Sequence, residues 1–171
     1  MTLDELNRLT GEQAQAEFLK CCGSMHWARR MSDARPFGDL GQLMKEADQV
    51  WWSLTEEDWL EAFRAHPKIG EKKATTAQSD TAQKWSAQEQ SKTAGAGTDV
   101  MSALAAGNRE YERRFGFIYI VCASGKTAAE MLAILNQRIG NTTADELRIA
   151  AEEQRKITQL RLAKLLEGPA A

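Results

Sequence analysis

The sequence predicts an all-α protein, a single compact domain of about eight helices over residues 1–171, with one short extended segment near 117–122. Three observations support this fold class. The 171 residues are 43% apolar and 27% charged, which is ordinary for a chain that buries one core. The chain holds only three prolines, so few positions interrupt a helix. The pattern Ser/Thr-x-x-Glu/Gln, typical of a helix start, recurs ahead of amphipathic stretches.

Polar caps and glycines predict where the helices begin and end. Five capping pairs predict helix starts at Thr2/Glu5, Thr10/Gln13, Ser86/Glu89, Thr127/Glu130 and Thr143/Glu146. Thr55 predicts a further start, because the three acidic residues that follow it favour the positive end of a helix dipole. Four glycines predict helix ends at Gly23, Gly116, Gly140 and Gly168. Polar or glycine-rich composition predicts loops at residues 68–82 and 93–98.

Residues 117–122, with the sequence FIYIVC, depart from the helical pattern. They are mostly aromatic or β-branched and lie between Gly116 and Ser124, which predicts a short, buried, extended stretch. No other stretch of the sequence resembles a partner strand, so the backbone N–H and C=O groups need helix ends, water or a ligand as partners. This stretch is therefore a candidate wall of a ligand site.

Charge and cysteine usage exclude several classes of function. The net charge is −2, so we expect no nucleic-acid partner. The three cysteines show neither a CxxC pattern nor histidines at ligand spacing, so neither a disulfide framework nor a metal site is predicted. Residues 1–12 are too polar for a signal peptide, and no apolar run is long enough to span a membrane. We therefore predict a cytoplasmic protein without a membrane partner.

One of the two histidines, His66, lies where a helix must stop. The helix that starts after Thr55 is predicted to run up to this point, and Pro67 biases His66 away from helical backbone angles. The exposed carbonyls of a helix C-terminus favour a protonated imidazole, and this placement suits a general acid or base. A histidine that only caps these carbonyls fits the same position.

Two further polar positions are candidates for a site. Ser86 and Glu89 have the spacing of a capping box, and the spacing alone favours a helix cap over chemistry. Arg161 lies at helical spacing on a row with Leu147, Ala150, Gln154, Ile157 and Leu165. Its guanidinium is therefore predicted to project among apolar neighbours, where it needs an anion. A structural carboxylate and a substrate are both open as that anion.

Five motifs, in this order and spacing, resemble the 2-oxo-4-hydroxy-4-carboxy-5-ureidoimidazoline (OHCU) decarboxylase family. They are HPKIG at 66–70, SAQEQ at 86–90 followed by AGAG at 94–97, RFGF at 114–117 running into IYIVCASGKT, RIGN at 138–141 and KITQLRL at 156–162. The resemblance covers nearly the whole chain. It implies the last enzyme of the ureide branch of uric acid breakdown, a carboxy-lyase whose product is (S)-allantoin.

The resemblance also implies a role for particular residues. His66 matches the catalytic histidine of the family and Glu89 its catalytic carboxylate. The positions that match substrate-binding groups are Pro67, Ser86, Gln90, the main chain of Tyr119, Ile120, Val121, Cys122 and Ala123, and Arg161. Lys68 varies in the family, so we assign it no catalytic role.

The family is all-helical and usually a homodimer that uses no cofactor and no metal. The resemblance therefore implies a homodimer without a cofactor, coupled in function to a separate hydroxyisourate hydrolase. The alternative from another class is a non-enzymatic helical protein-interaction module, in which aromatic faces pack against partner helices. A short-helix DNA reader is disfavoured by the acidic balance. The discriminating feature is whether His66, Ser86, Glu89 and Arg161 converge on one pocket.

Overall fold

The computed structural model describes residues 1–71, 78–93 and 95–167. Its secondary structure elements in these ranges are helices. They are α1 (Leu3–Arg8), α2 (Gly11–Cys21), α3 (Met25–Asp33), α4 (Leu40–Trp52), α5 (Glu56–Arg64), α6 (Asp80–Glu89), a 3-10 turn (Ser91–Thr93), α7 (Thr98–Phe115), α8 (Ala128–Arg138) and α9 (Thr143–Leu166). No strand occurs in these described ranges, so the all-α prediction is confirmed. None of the helices described combines the length and the apolar character that a bilayer crossing requires.

Most of the predicted helix starts coincide with N-cap residues in the structure. The hydroxyls of Thr2, Thr10 and Thr127 each accept a hydrogen bond from the backbone N–H three residues on. The start predicted at Thr143 is displaced by one residue, because the Thr142 hydroxyl accepts from the Asp145 N–H.

The helix start predicted at Ser86 is wrong. Helix α6 begins six residues earlier at Asp80, and its N-cap is Ser79, whose hydroxyl accepts from the Ala82 N–H. Ser86 and Glu89 lie in the second half of α6, on one face, because residues three apart face the same side anywhere in a helix. The first predicted loop therefore ends at Ser79 rather than Ala82. Its residues 72–77 lie outside the described residues.

The helix end predicted at Gly116 is confirmed, and its backbone is left-handed. Gly116 has φ +81° and its N–H donates to the Glu112 carbonyl, which closes α7. Gly140 follows the C-cap residue of α8, and Gly23 follows the C-cap residue of α2. Gly168, predicted to end the last helix, lies outside the described residues. Ala94 of the second predicted loop lies outside them as well.

The helices group into two compact units, and the divisions fall within α5 and within α9. The first unit holds Met1–Ala62 and the chain from Arg155 onward. Within it, Gln159 on α9 donates to the Met44 carbonyl at 3.0 Å and to Asp48 Oδ1 at 2.6 Å, which ties the end of α9 to α4. Trp27 packs edge-on against Phe18 in its core, with ring centroids 5.9 Å apart.

The second unit, Phe63–Gln154, carries most of the predicted site residues. Helices α7 and α8 pack closely where Gly107 faces Leu135, because a Cβ at 107 would come within 3.1 Å of the leucine side chain. Aromatic rings from the end of α7 and from the segment after it form a cluster of Tyr111, Phe115, Phe117 and Tyr119. Residues 117–123 lie outside the helices and are all buried, as predicted for the ligand wall.

Candidate active site

The HPKIG turn, residues 66–70, lies immediately after the end of α5. The His66 N–H donates to the Phe63 carbonyl at 3.1 Å, so the histidine follows the helix C-terminus as predicted. The His66 side chain is buried at 8% exposure, and Pro67 and Ile69 are buried beside it in the sequence. A general acid or base in this position is shielded from bulk water, which strengthens its electrostatic interactions with a bound substrate.

Four side-chain amides bind polar groups of this turn and of the residue before it. The contacts are Gln78 Nε2 to the Ala65 carbonyl, Asn108 Nδ2 to the Ile69 carbonyl (3.5 Å), the Gly70 N–H to Gln90 Oε1 (3.0 Å), and His66 Nε2 to Gln154 Oε1 (2.6 Å). We call these four residues the amide shell. They come from the residues before α6, from the end of α6, from α7 and from α9, so the turn is held from several directions.

A cavity of about 590 Å³ adjoins the turn and the second half of α6. Three of the predicted substrate-binding residues, Pro67, Ser86 and Gln90, line it. Asp80 and Lys84 add charged groups to its wall. The structure thus brings the HPKIG and SAQEQ motifs onto one cavity, although the two motifs are separated by the loop that the sequence predicts.

Glu89 occupies the last residue of α6 and is buried at 8% exposure. Its negative charge contributes to the pKa of the Cys122 thiol, in the segment after α7. Burial raises the pKa of Cys122, Lys126 lowers it, and the charges of Glu153 and Glu89 raise it further. The predicted catalytic carboxylate therefore lies within electrostatic range of the predicted ureide-binding segment.

Charged side chains bind the backbone of residues 119–123. Arg138 Nη1 donates to the Ile120 carbonyl at 2.7 Å, Glu153 Oε1 accepts from the Cys122 N–H at 3.4 Å, and Lys126 Nζ donates to the Cys122 carbonyl at 2.7 Å. The expectation that helix ends, water or a ligand would satisfy this segment is therefore corrected for these three groups. Side chains from α8, from α9 and from the turn that precedes α8 satisfy them instead.

Arg138 belongs to a buried ionic cluster beneath this segment. Its guanidinium meets Glu146 Oε1 through Nε at 2.6 Å and through Nη2 at 2.5 Å. The Tyr111 hydroxyl donates to the same carboxylate oxygen at 2.5 Å, and Asn141 Nδ2 donates to the other at 3.0 Å. Burial and the hydrogen bond to Glu146 raise the pKa of Tyr111. The phenol therefore stays neutral and acts as a donor in this cluster.

A sequence model of the OHCU decarboxylase family matches residues 7–163. The chain belongs to this family. The family match spans both units and includes every predicted site residue. It confirms the resemblance drawn from the five motifs, and the family is one of decarboxylases, which are lyases, in agreement with the predicted class of enzyme.

Relatives of known name agree with the family. The chain is 40% identical over 160 residues to the uric acid degradation bifunctional protein TTL of Arabidopsis thaliana, covering 93% of this chain and 49% of that one. It thus spans about half the length of that relative. It is 26% identical over 165 residues to a 2-oxo-4-hydroxy-4-carboxy-5-ureidoimidazoline decarboxylase of Haloferax volcanii, covering 96% and 95% of the two chains. A crystal structure of OHCU decarboxylase in the presence of (S)-allantoin matches with TM-score 0.77 and 41% identity, over 88% of this chain and 97% of that one.

Arg161, the family's predicted guanidinium, lies in the other unit from the cavity residues. It is buried at 3% exposure, as the helical row predicted, and its Nη1 donates to the Lys20 carbonyl at 3.4 Å. Burial raises the pKa of the Cys22 thiol to about 12, and hydrogen bonds and the nearby Arg161 charge lower it only in part. The anion that Arg161 binds, and its role in substrate binding, stay predictions.

Two site features were missed by the sequence interpretation. Gln154 was placed only as one member of the row that contains Arg161, yet it contacts His66 directly. The signal that could have identified Gln154 is a polar residue within an apolar helical row, and the same signal predicted the burial of Arg161. Arg138 and Glu146 were missed as a pair, although Arg138 opens the RIGN motif. Among the described residues, no group of three His, Cys, Asp or Glu side chains is arranged to hold a metal ion.

Proposed function

We propose that the protein converts OHCU to (S)-allantoin and CO2 in uric acid degradation, without a cofactor and with His66 and Glu89 as its acid–base groups. One observation carries the proposal. In a chain of this family, Pro67, Ser86 and Gln90 line one cavity, and the buried His66 directly precedes Pro67. A cavity of this volume is within the range of small-molecule sites.

The chemistry of the substrate explains why few protein groups suffice. The carbon that bears the hydroxyl and the carboxylate adjoins a ring carbon doubly bonded to nitrogen. The electron pair released with CO2 flows into this C=N bond, so no pyridoxal or thiamine electron sink is required. The protein must hold the carboxylate out of the ring plane, manage the hydroxyl proton, and deliver one proton to one face of the ureido-bearing carbon.

His66 takes the hydroxyl proton in this proposal and so assists carbon–carbon cleavage. Glu89 steers and supports the imidazole with its negative charge. Gln90 accepts a hydrogen bond from the Gly70 N–H through Oε1, so its Nε2 is the end that donates to a substrate oxygen. Ser86 supplies a hydroxyl on the same cavity wall. Arg161 holds an anionic oxygen of the substrate.

The main chain of residues 119–123 binds the ureido group. This group carries both N–H donors and a carbonyl acceptor, so it pairs with backbone carbonyls and amides. The Ile120 carbonyl, the Cys122 N–H and carbonyl, and the Ala123 carbonyl already bond to other groups of the protein. We therefore assign the ureide contacts chiefly to the other main-chain groups of Tyr119 to Ala123.

A coupled assay tests the proposal. Urate oxidase and hydroxyisourate hydrolase generate the unstable substrate from urate, and circular dichroism follows the product. We expect optically active (S)-allantoin to form faster than in the same mixture without the protein, because the enzyme protonates one face of the carbon. Racemic allantoin at the uncatalysed rate would reject the decarboxylase assignment and favour the helical interaction module.

We further propose that the protein is a homodimer and that it is coupled in function to a hydroxyisourate hydrolase. Several relatives are named uric acid degradation bifunctional proteins, which supports such coupling. Size-exclusion chromatography with light scattering measures the mass of the assembly. A mass near that of one chain at assay concentrations would contradict the dimer.

A further inference from the structure

The contact between His66 and Gln154 joins two buried side chains from distant parts of the sequence. His66 Nε2 lies 2.6 Å from Gln154 Oε1, and Gln154 has no exposed surface. A carboxamide oxygen accepts hydrogen bonds and cannot donate them. The hydrogen of this bond therefore belongs to Nε2 of the imidazole.

We infer that Gln154 is a positioning residue that holds His66 in the tautomer with its proton on Nε2, so that Nδ1 carries the lone pair that accepts the substrate proton. This inference rests on the proposed decarboxylation for its catalytic meaning. The tautomer is inferred from the amide oxygen that faces Nε2, because a neutral imidazole has one donor nitrogen and one acceptor nitrogen.

The position of Gln154 on α9 suits this role. Its neighbour in the sequence, Glu153, accepts from the Cys122 N–H, so successive residues of α9 bind the two parts of the site that the sequence predicted separately. Both side chains are buried, and each therefore fixes the geometry of the group it binds. The imidazole cannot rotate without breaking a buried hydrogen bond.

A neutral amide at this position has a different effect from a carboxylate. A carboxylate beside the imidazole would favour the imidazolium and raise the pKa of His66. The amide oxygen instead accepts from the neutral ring, and its bond to Nε2 strengthens only when the ring becomes charged during proton transfer. Gln154 thus orients the base and supports the charge that develops on it, and the Nε2 proton stays in place throughout.

Nitrogen-15 NMR tests the tautomer without reference to activity. The chain has only two histidines, so the spectrum of a His26→Asn variant assigns the His66 ring. At a pH where the ring is neutral, we expect a protonated, pyrrole-type Nε2 and an unprotonated, pyridine-type Nδ1 in the wild-type protein. A protonated Nδ1 with an unprotonated Nε2 would overturn the inference, whether or not the protein decarboxylates OHCU.

Substitutions at 154 test the catalytic meaning in the coupled assay. Gln154→Leu removes the acceptor, and we expect kcat to fall at least about tenfold with little change in KM, because the ring is no longer held in one tautomer. Gln154→Glu restores an acceptor with a charge. We expect it to recover part of kcat and to move the acid limb of the pH profile upward by about one unit or more. Both variants retain the charged side chains Lys68, Glu89 and Glu153, so a difference between their pH profiles comes from residue 154.

Gln159→Leu is the matched control, because Gln159 is a half-buried amide of α9 whose partners are Met44 and Asp48. We expect it to lower the melting temperature and to leave kcat and the pH profile unchanged. An active wild-type enzyme whose kcat and pH profile are the same in both Gln154 variants would overturn the inference. A wild-type protein without activity would instead reject the proposed function, and the NMR result would still decide the tautomer.

Discussion

The HPKIG turn and the segment of residues 117–123 are both buried and non-helical, but different chemistry holds each of them. The His66 ring and the backbone groups of the turn and of the residue before it contact the amide shell of Gln78, Gln90, Asn108 and Gln154, all neutral groups. The partly exposed Lys68 of the turn has a charged partner, Glu112. The segment contacts charged side chains, Arg138, Glu153 and Lys126. Each region has backbone groups that no helix satisfies, so each needs side-chain partners. The partners differ in charge.

This difference follows from what each region contains. The turn carries the histidine proposed to gain and lose a proton, and a fixed charge close to it would shift its pKa in one direction. Amides satisfy the turn without adding such a charge. The segment contributes main-chain groups that do not titrate, so a buried ion pair is tolerated there. The comparison predicts that variants of the turn affect activity most and variants beneath the segment affect stability most.

The largest effect on activity is expected for His66→Ala. Turnover should fall by about 10² to 10⁴, the usual loss for a general acid or base. The protein should stay folded but lose about 1–3 kcal/mol of stability, because the buried Gln154 amide oxygen loses its donor. The coupled assay and thermal unfolding measure the two effects. His26→Ala, at the exposed other histidine, is the matched control, and a His66→Ala rate above about a tenth of wild type would remove His66 from the mechanism.

The largest effect on stability is expected for Arg138→Met beneath the segment. The change leaves the Glu146 carboxylate buried without its cation, which costs about 3–5 kcal/mol. The Ile120 carbonyl loses its donor as well. Chemical denaturation measures the loss, and Arg113→Met on the exposed pair with Glu110 is the control, with an expected change below about 1 kcal/mol. Equal losses in the two variants would contradict the structural importance of the ionic cluster.

Local sequence patterns predicted the features that depend on neighbours along the chain. The place of His66 after a helix, the left-handed Gly116 and the burial of residues 117–122 were all confirmed. The cap at Ser86 was wrong because a serine and a glutamate three residues apart share a face at any point of a helix. The real cap, Ser79, is followed three residues later by Ala82, so the capping-box pattern does not detect it.

The partners within the site depend on contacts between distant residues. His66 and Gln154 are 88 residues apart, and no local pattern relates them. The same is true of Tyr111 and Glu146, which are 35 residues apart. Family resemblance predicted the candidate site residues, because the motifs contain them, and their contact with the substrate stays a prediction. It did not predict the residues that hold those groups in place, which only the packing of α7, α8 and α9 reveals.

The Glu89→Gln variant tests the charge of Glu89 separately from its size. Glu89 is the last residue of α6, and glutamine retains its size and removes its charge. We expect activity to fall by roughly 10² while the melting temperature stays near wild type. Glu110→Gln, at an exposed residue of α7, controls for loss of one negative charge. Activity near wild type in both variants would remove Glu89 from the mechanism.

Arg161→Lys tests the predicted guanidinium of the first unit. Lysine keeps the charge but lacks the planar pair of donors that binds a carboxylate at two points, so we expect activity to fall about tenfold or more. Arg148→Lys at an exposed position of α9 is the matched control. An unchanged rate for Arg161→Lys in the coupled assay would mean that Arg161 binds protein groups such as the Lys20 carbonyl and not the substrate.

The smallest effect is expected for Lys68→Met, a change within the turn at a residue without an assigned role. Lys68 Nζ lies 2.8 Å from Glu112 Oε2, and this hydrogen bond raises the pKa of Lys68. A partly exposed pair contributes about 0.2–1 kcal/mol, so the melting temperature should fall by less than about 4 °C, with activity unchanged. Because the pKa is raised on folding, the difference between wild type and variant should be present below pH 10.5 and fade as the pH rises above it. A large loss of activity would instead place Lys68 in the site and contradict the view that the amide shell holds this turn for catalysis.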